Sequence, residues 1–163
     1  MLNFYKIRIA NQQDIPFLAR TIAQAYKNVA QRFGLTPQNC PKHPSNCTDE
    51  WVQSDLDRGV IYYALESDQD ICGCSALEKA GPDVCYLERL SILPQYRRKG
   101  LGTMLVHHIL QEAHALGVPT VGIGIIAHQH ELKKWYIELG FVEGETKSFD
   151  HLPFEVTFLS MND

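Results

Sequence analysis

Arg97-Arg98-Lys99-Gly100-Leu101-Gly102 lies between the apolar run Leu90 to Leu93 and the helical pattern Thr103 to Leu116, a placement that makes it a strand-to-helix turn. Two glycines let the backbone turn sharply and approach a ligand closely. The first turn of the helix that follows leaves amide donors without an intrahelical partner, and such a turn suits a pyrophosphate. A helix terminus attracts an anion by only ~0.3 to 1 kcal/mol at an exposed site, so amide hydrogen bonds and the three cations must supply much of the binding. The spacing Arg-x-x-Gly-x-Gly differs from the dinucleotide pattern Gly-x-Gly-x-x-Gly. It also differs from the P-loop, because no Lys-Ser or Lys-Thr pair follows the second glycine. Basic residues at a helix start oppose the macrodipole, so a bound anion explains them better than a solvated helix start does.

The longer stretch Tyr86-Leu87-Glu88-Arg89-Leu90-Ser91-Ile92-Leu93-Pro94-Gln95-Tyr96, followed by that turn, resembles the strand, loop and helix that bind acetyl-CoA in the GNAT superfamily of N-acetyltransferases. Trp135-Tyr136-Ile137-Glu138-Leu139-Gly140-Phe141 is similar to the family's second signature, Tyr-x-x-x-Gly-Phe, and the two stand in the family's order. The resemblance is strong from about Val84 to Val142. It implies that Arg97, Arg98, Lys99, Gly100, Leu101 and Gly102 hold the CoA pyrophosphate, that the backbone of Leu90 and Ile92 pairs with the pantetheine arm, and that Tyr136 protonates the departing thiolate. Where family members often carry Asn and Ala ahead of that Tyr, this chain has Gln129 and Leu132; Gln129 is the cofactor contact implied there.

At 163 residues, 45% hydrophobic and 21% charged, the chain is long enough for one buried core and short for two, so a single domain over 1–163 is expected. A net charge of -4 and a pI near 5.9 argue against general nucleic-acid binding, which needs a basic face. The N-terminal residues hold no apolar segment of signal-peptide length, and no apolar run approaches a membrane span. A cytoplasmic protein without a membrane partner is expected. Cys40, Cys47, Cys72, Cys74 and Cys85 make five, an odd count that favours reduced thiols used as small core residues.

Phe4 to Ala10 alternates as a first strand. Asp14 is expected to cap a helix with Pro16 in its first turn and with Ile15, Leu18, Ala19, Ile22, Tyr26 and Val29 in one apolar stripe. Gly34 to Cys47 is irregular, and Thr48 opens a short helix ending near Gly59. Val60 to Glu66 and Ile71 to Leu77 read as a hairpin across Ser67 to Asp70. Strands follow at Val84 to Leu93, Val121 to Ala127, Val142 to Phe149 and Phe154 to Met161. The third helix buries Leu101, Leu105, Ile109, Ala113 and Leu116 while His107, His108, Gln111 and His114 face solvent, and the last carries Leu132, Trp135, Tyr136 and Leu139. The expected fold is α/β (α+β), a mixed sheet of about six to seven strands with helices on both faces. The resemblance implies that the strands ending near Leu93 and Ala127 splay to admit the cofactor.

Acetyl transfer from a thioester to an amine needs a neutral amine, an oxyanion stabiliser and an acid for the thiolate. Tyr136 is the candidate acid; read from position alone, it is equally a packing residue on an aromatic stripe. Glu88 is the first candidate base, although it could instead pair with Arg89 or Arg58, and His128 and His151 compete with it. Cys40, His43 and Cys47 offer three zinc-type ligands without a visible fourth, so no metal is expected, and their loop is read as lining the acceptor pocket with His43 and Trp51.

These readings converge on an acetyl-CoA-dependent N-acetyltransferase that transfers acetyl directly to a primary amine of a small molecule or amino-acid-like acceptor, with a homodimer compatible. The alternatives are a non-catalytic acyl-CoA-binding or regulatory module and a peptide or protein N-acetyltransferase.

Overall fold

The structure is a computed structural model and describes residues 4–162. Seven strands run along the chain as β1 (Tyr5–Ile9), β2 (Ile61–Ser67), β3 (Asp70–Lys79), β4 (Val84–Ile92), β5 (Thr120–Ile126), β6 (Val142–Ser148) and β7 (Glu155–Asn162). The helices are α1 (Ile15–Ala25), α2 (Lys27–Phe33), α3 (Asp49–Asp57), α4 (Leu101–Ala115) and α5 (His130–Glu138). The strands form one mixed sheet in the order β1-β2-β3-β4-β5-β7-β6, in which β4 and β5 are parallel and the other neighbours antiparallel.

Alternation on β2 assigns the two layers. Tyr62 and Ala64 join Leu18, Ile22 and Val52 beneath α1 and α3, whereas Tyr63 packs with Val106 and Ile109 of α4 and Tyr136 of α5 on the opposite face. Full burial of a side chain such as Leu18 or Ile22 is worth roughly 1.5 to 3 kcal/mol, which outweighs any weak helix propensity in that segment. The β2–β3 turn places Asp68 and Gln69 both at positive φ, 52° and 75°, as a two-residue hairpin turn needs.

The sheet is open where function is expected. Only Val84 to Tyr86 of β4 pair with Thr120 to Gly122 of β5. Beyond them β4 stays with β3 as far as the Gly73–Ile92 pair, while β5 stays with β7 along its whole length. A gap therefore opens between Leu87–Ile92 and Ile123–Ile126.

Four expectations need correction. The helix expected to carry both Ile15 and Val29 is divided at Tyr26 (φ -94°, ψ 0°), where the carbonyl of Ala25 accepts a 2.7 Å hydrogen bond from the Arg97 guanidinium. The Asp14 carboxylate does not cap α1; it accepts from the Asn11 amide and from Nη1 and Nη2 of Arg8, while the Asn11 side chain accepts from the Gln13 amide. Leu116 is 48% exposed, because the helix ends before its last apolar position reaches the core. His108 is only partly solvated, edge-on to Tyr63 and paired with Glu112.

Candidate active site

The end of β4 leads through a short turn at Pro94–Tyr96 into the start of α4. Gly100 sits at φ +77° as the residue before the helix, and Arg98 also adopts a left-handed conformation (φ 63°) that the sequence offers no glycine to absorb. The first bond of the α4 ladder runs from the Met104 amide to the Gly100 carbonyl, so the amides of Leu101, Gly102 and Thr103 precede it and aim outward. Arg98 and Lys99 are exposed, with the Lys99 ammonium 5.9 Å from the Tyr96 ring centre.

Arg97 lines the cavity over this turn while its guanidinium is engaged by backbone carbonyls. Its Nε donates to the Ile92 carbonyl at 3.2 Å and its Nη2 to the Ala25 carbonyl at 2.7 Å, which ties the end of β4 to the break between α1 and α2. A cavity of about 400 Å³ opens over this turn, bounded by Leu90 and Ile92 of β4, by Gly100 to Thr103, and by Gln129, Leu132, Trp135 and Tyr136.

A second cavity of about 500 Å³ adjoins it on the far side of Tyr136 and fills the gap between β4 and β5. Tyr136, Tyr26, Leu90, Gln129 and Leu132 line both cavities. Tyr136 is 4% exposed and is gripped edge-to-face by Trp135 and Phe141, with ring centres 4.8 and 5.4 Å away. Burial, with Tyr26 nearby, raises its phenol well above the ordinary tyrosine value and keeps it protonated.

Glu88 lines the second cavity. Burial first, then the hydrogen bond and charge of Glu78, push its carboxyl up to about 7 against the opposing pull of Arg89. Glu88 therefore does not pair with Arg58 or Arg89 as the sequence allowed. Arg58 binds Asp55 (2.6 Å) and Glu78, while Arg89 Nη1 donates to Asp55 and to the Tyr62 hydroxyl (2.6 Å), which itself donates to Asp55 at 2.5 Å.

This network accounts for an irregularity in β4. Cys74 pairs with Ser91 and Ala76 with Glu88, so Arg89 and Leu90 together face Ser75, and Arg89 sits at φ 52°. A non-glycine residue in that conformation costs on the order of 1 to 3 kcal/mol, which the hydrogen bonds of the Arg89 guanidinium, roughly 1.5 to 3 kcal/mol each, can offset. The Ser75 hydroxyl donates to the Glu88 carbonyl and that of Ser91 to the Arg89 carbonyl. The bulge sets which side chains of Glu88 to Ile92 meet the gap.

His43 is 6% exposed and lines the second cavity. Its Nδ1 accepts from the Ser45 amide at 3.3 Å and lies 2.7 Å from the Ser45 hydroxyl, leaving Nε2 to carry the proton. Burial lowers its pKa. Trp51 stacks on the Arg89 guanidinium instead of lining the cavity. His128 and His151 are exposed and line neither cavity; their rings lean on His130 and Phe149 respectively. Among the described residues no group of three or more His, Cys, Asp or Glu side chains gathers as metal ligands.

Sequence reasoning missed the Asp55–Arg89–Tyr62 network and the contact of Glu78 with Glu88. The only signal for either was the number of charged residues on strands that the core should have kept apolar.

The arrangement combines an amide-rich turn, a protonated phenol at the junction of two cavities and a carboxyl poised near neutrality. Residues 25–141 match the family model described as the acetyltransferase (GNAT) family. The chain is 28% identical over 132 residues to an uncharacterized N-acetyltransferase, YjgM, of Escherichia coli, covering 79% of this chain and 77% of that one. It is 29% identical over 151 residues to an amino-acid acetyltransferase of Neisseria meningitidis, covering 92% of this chain but only 29% of that longer protein. Its fold superposes on the PaiA N-acetyltransferase of Thermoplasma acidophilum, solved with coenzyme A, with a TM-score of 0.83 at 14% identity over 98% and 99% of the two chains. The chain belongs to the GNAT family of acetyltransferases.

Proposed function

We propose that the protein transfers the acetyl group of acetyl-CoA directly to a primary amine of a small molecule or amino-acid-like acceptor. The observation that carries this reading is the position of Tyr136 between the two cavities, one closed by the amide turn at Gly100 to Thr103 and the other holding Glu88. The residues present fit the cofactor: free amides and two exposed cations suit a pyrophosphate, and the unpaired edge of β4 at Leu90 and Ile92 suits an amide-bearing arm. Acetyl-CoA supplies an activated acyl thioester.

The chain's own residues then have separable tasks. The amides of Leu101, Gly102 and Thr103, with Arg98 and Lys99, hold the diphosphate. Glu88 accepts the proton of the acceptor ammonium and leaves a neutral amine beside the junction. Tyr136 holds a proton on its phenol oxygen for the departing sulfur. The apolar walls of the gap, Ile123, Ile125 and Phe158 among them, exclude water and strengthen these interactions. That the amino-acid acetyltransferase of N. meningitidis is a relative supports an amino-acid-like acceptor.

The test is thiol release from acetyl-CoA across a panel of amines, with the acetylated product identified by mass spectrometry. Turnover of at least one amine is expected. Tight CoA binding with no turnover on any amine would leave a binding module in place of an enzyme.

A further inference from the structure

Glu88 and Glu78 stand on adjacent strands and the same face of the sheet. The residue opposite Glu88 is Ala76, whose methyl group does not separate the carboxyls, and Glu78 is the diagonal neighbour two positions along β3, within reach of a long side chain. The register brings the two carboxyls together, and Glu78 raises the Glu88 carboxyl. Glu88 faces the second cavity, whereas Glu78 is 24% exposed and is held from the solvent side by Arg58, whose other nitrogen is anchored on Asp55. The pair thus runs from the cavity to the surface, with the Glu78 end held by Arg58.

We propose that Glu78 and Glu88 act as one acid–base unit, in which Glu88 takes the proton of the acceptor ammonium and Glu78 delivers it to solvent. The inference rests on the acetyltransferase reading above. In the first step an N–H bond of the ammonium breaks, its electron pair stays on nitrogen, and an O–H bond forms on Glu88. In the second, the O–H bond on Glu88 breaks, its electron pair stays on that oxygen, and an O–H bond forms on Glu78. In the third, the proton leaves Glu78 for water, so the pair returns to its starting charge with no other reactant.

The charged groups that face Glu88 are Glu78 on β3, Arg89 beside it on β4 and Asp55 on α3; Tyr26, His43 and Tyr136 line the same cavity. Burial and Glu78 raise the Glu88 carboxyl, and Arg89 lowers it. Like charge from Glu78 is the contribution that a single substitution removes without touching the cavity wall. Glu78 acts through Glu88 and is a positioning and relay residue.

The experiment is Glu78→Gln, read by carboxyl 13C NMR titration of the ligand-free protein and by the pH–rate profile on an accepted amine. The Glu88 midpoint and the acidic limb are both expected to move down by about one pH unit, with kcat on the plateau several-fold lower. Glu78→Asp keeps the charge but shortens the reach, and should hold the limb closer to the wild-type pH. It carries the test if the Gln variant does not fold by circular dichroism. An unmoved midpoint, or a wild-type plateau kcat in the folded Gln variant, overturns the relay. A wild-type protein that acetylates no amine overturns the acetyltransferase reading and the relay together, whereas an active enzyme with an unmoved limb overturns the relay alone.

Discussion

Gly102 lies against the indole of Trp135: a Cβ at position 102 would stand 3.3 Å from Cζ2 and 3.5 Å from Cη2 of that ring. Trp135 in turn packs on Tyr136, so the glycine of the anion turn and the tyrosine at the cavity junction are linked through one ring. A side chain added at position 102 would press on the ring that packs against Tyr136.

Gly102→Val should therefore raise the CoA dissociation constant about tenfold or more, because forcing branched carbons into a packed contact costs on the order of 1 to 3 kcal/mol. Gly102→Ala places only the Cβ there and should cost less. Isothermal calorimetry on folded variants checks this, and unchanged affinity in the Val variant would contradict it.

Arg97→Ala should act chiefly on stability. The side chain donates to the Ile92 and Ala25 carbonyls, so its removal should cost about 1 to 3 kcal/mol in urea denaturation, while the salt dependence of CoA affinity stays as in wild type. Removal of Arg98 or Lys99 should instead flatten that salt dependence. An Arg97→Ala protein of wild-type stability with a weakened, less salt-sensitive CoA affinity would return Arg97 to the phosphate.

What the sequence made legible was local. The turn Arg97 to Gly102 and the run Tyr136 to Phe141 are each recognisable from a few neighbouring residues, and the sheet with helices on both faces follows from apolar periods of about two and four. What it hid depends on contacts between distant segments. The break at Tyr26 coincides with a guanidinium from position 97 on the Ala25 carbonyl. The bulge at Arg89 depends on Asp55 and Tyr62, and the carboxyl pair on the register of β3 against β4. His43 entered the second cavity through its loop, whereas His128 and His151, equally plausible bases by type, face solvent.

The raised Glu88 carboxyl also predicts how stability responds to pH. A carboxyl whose folded value is about 7 against an ordinary 4.5 binds its proton more tightly in the folded state. Its contribution is therefore fully present below the ordinary value and is lost as pH rises toward 7. Urea midpoints measured between those limits should show a decline with rising pH that Glu88→Gln removes. An identical slope in both proteins would place the titrating group elsewhere.

In the proposed reaction Tyr136 protonates the departing thiolate, and Tyr136→Phe removes that proton while the phenyl ring retains the packing against Trp135 and Phe141. Steady-state kinetics on an accepted amine, beside calorimetry of CoA binding, should show kcat lowered by ~10² to 10⁴ with cofactor affinity little changed. A folded Tyr136→Phe enzyme with wild-type kcat would leave Tyr136 a packing residue and the thiolate with another acid.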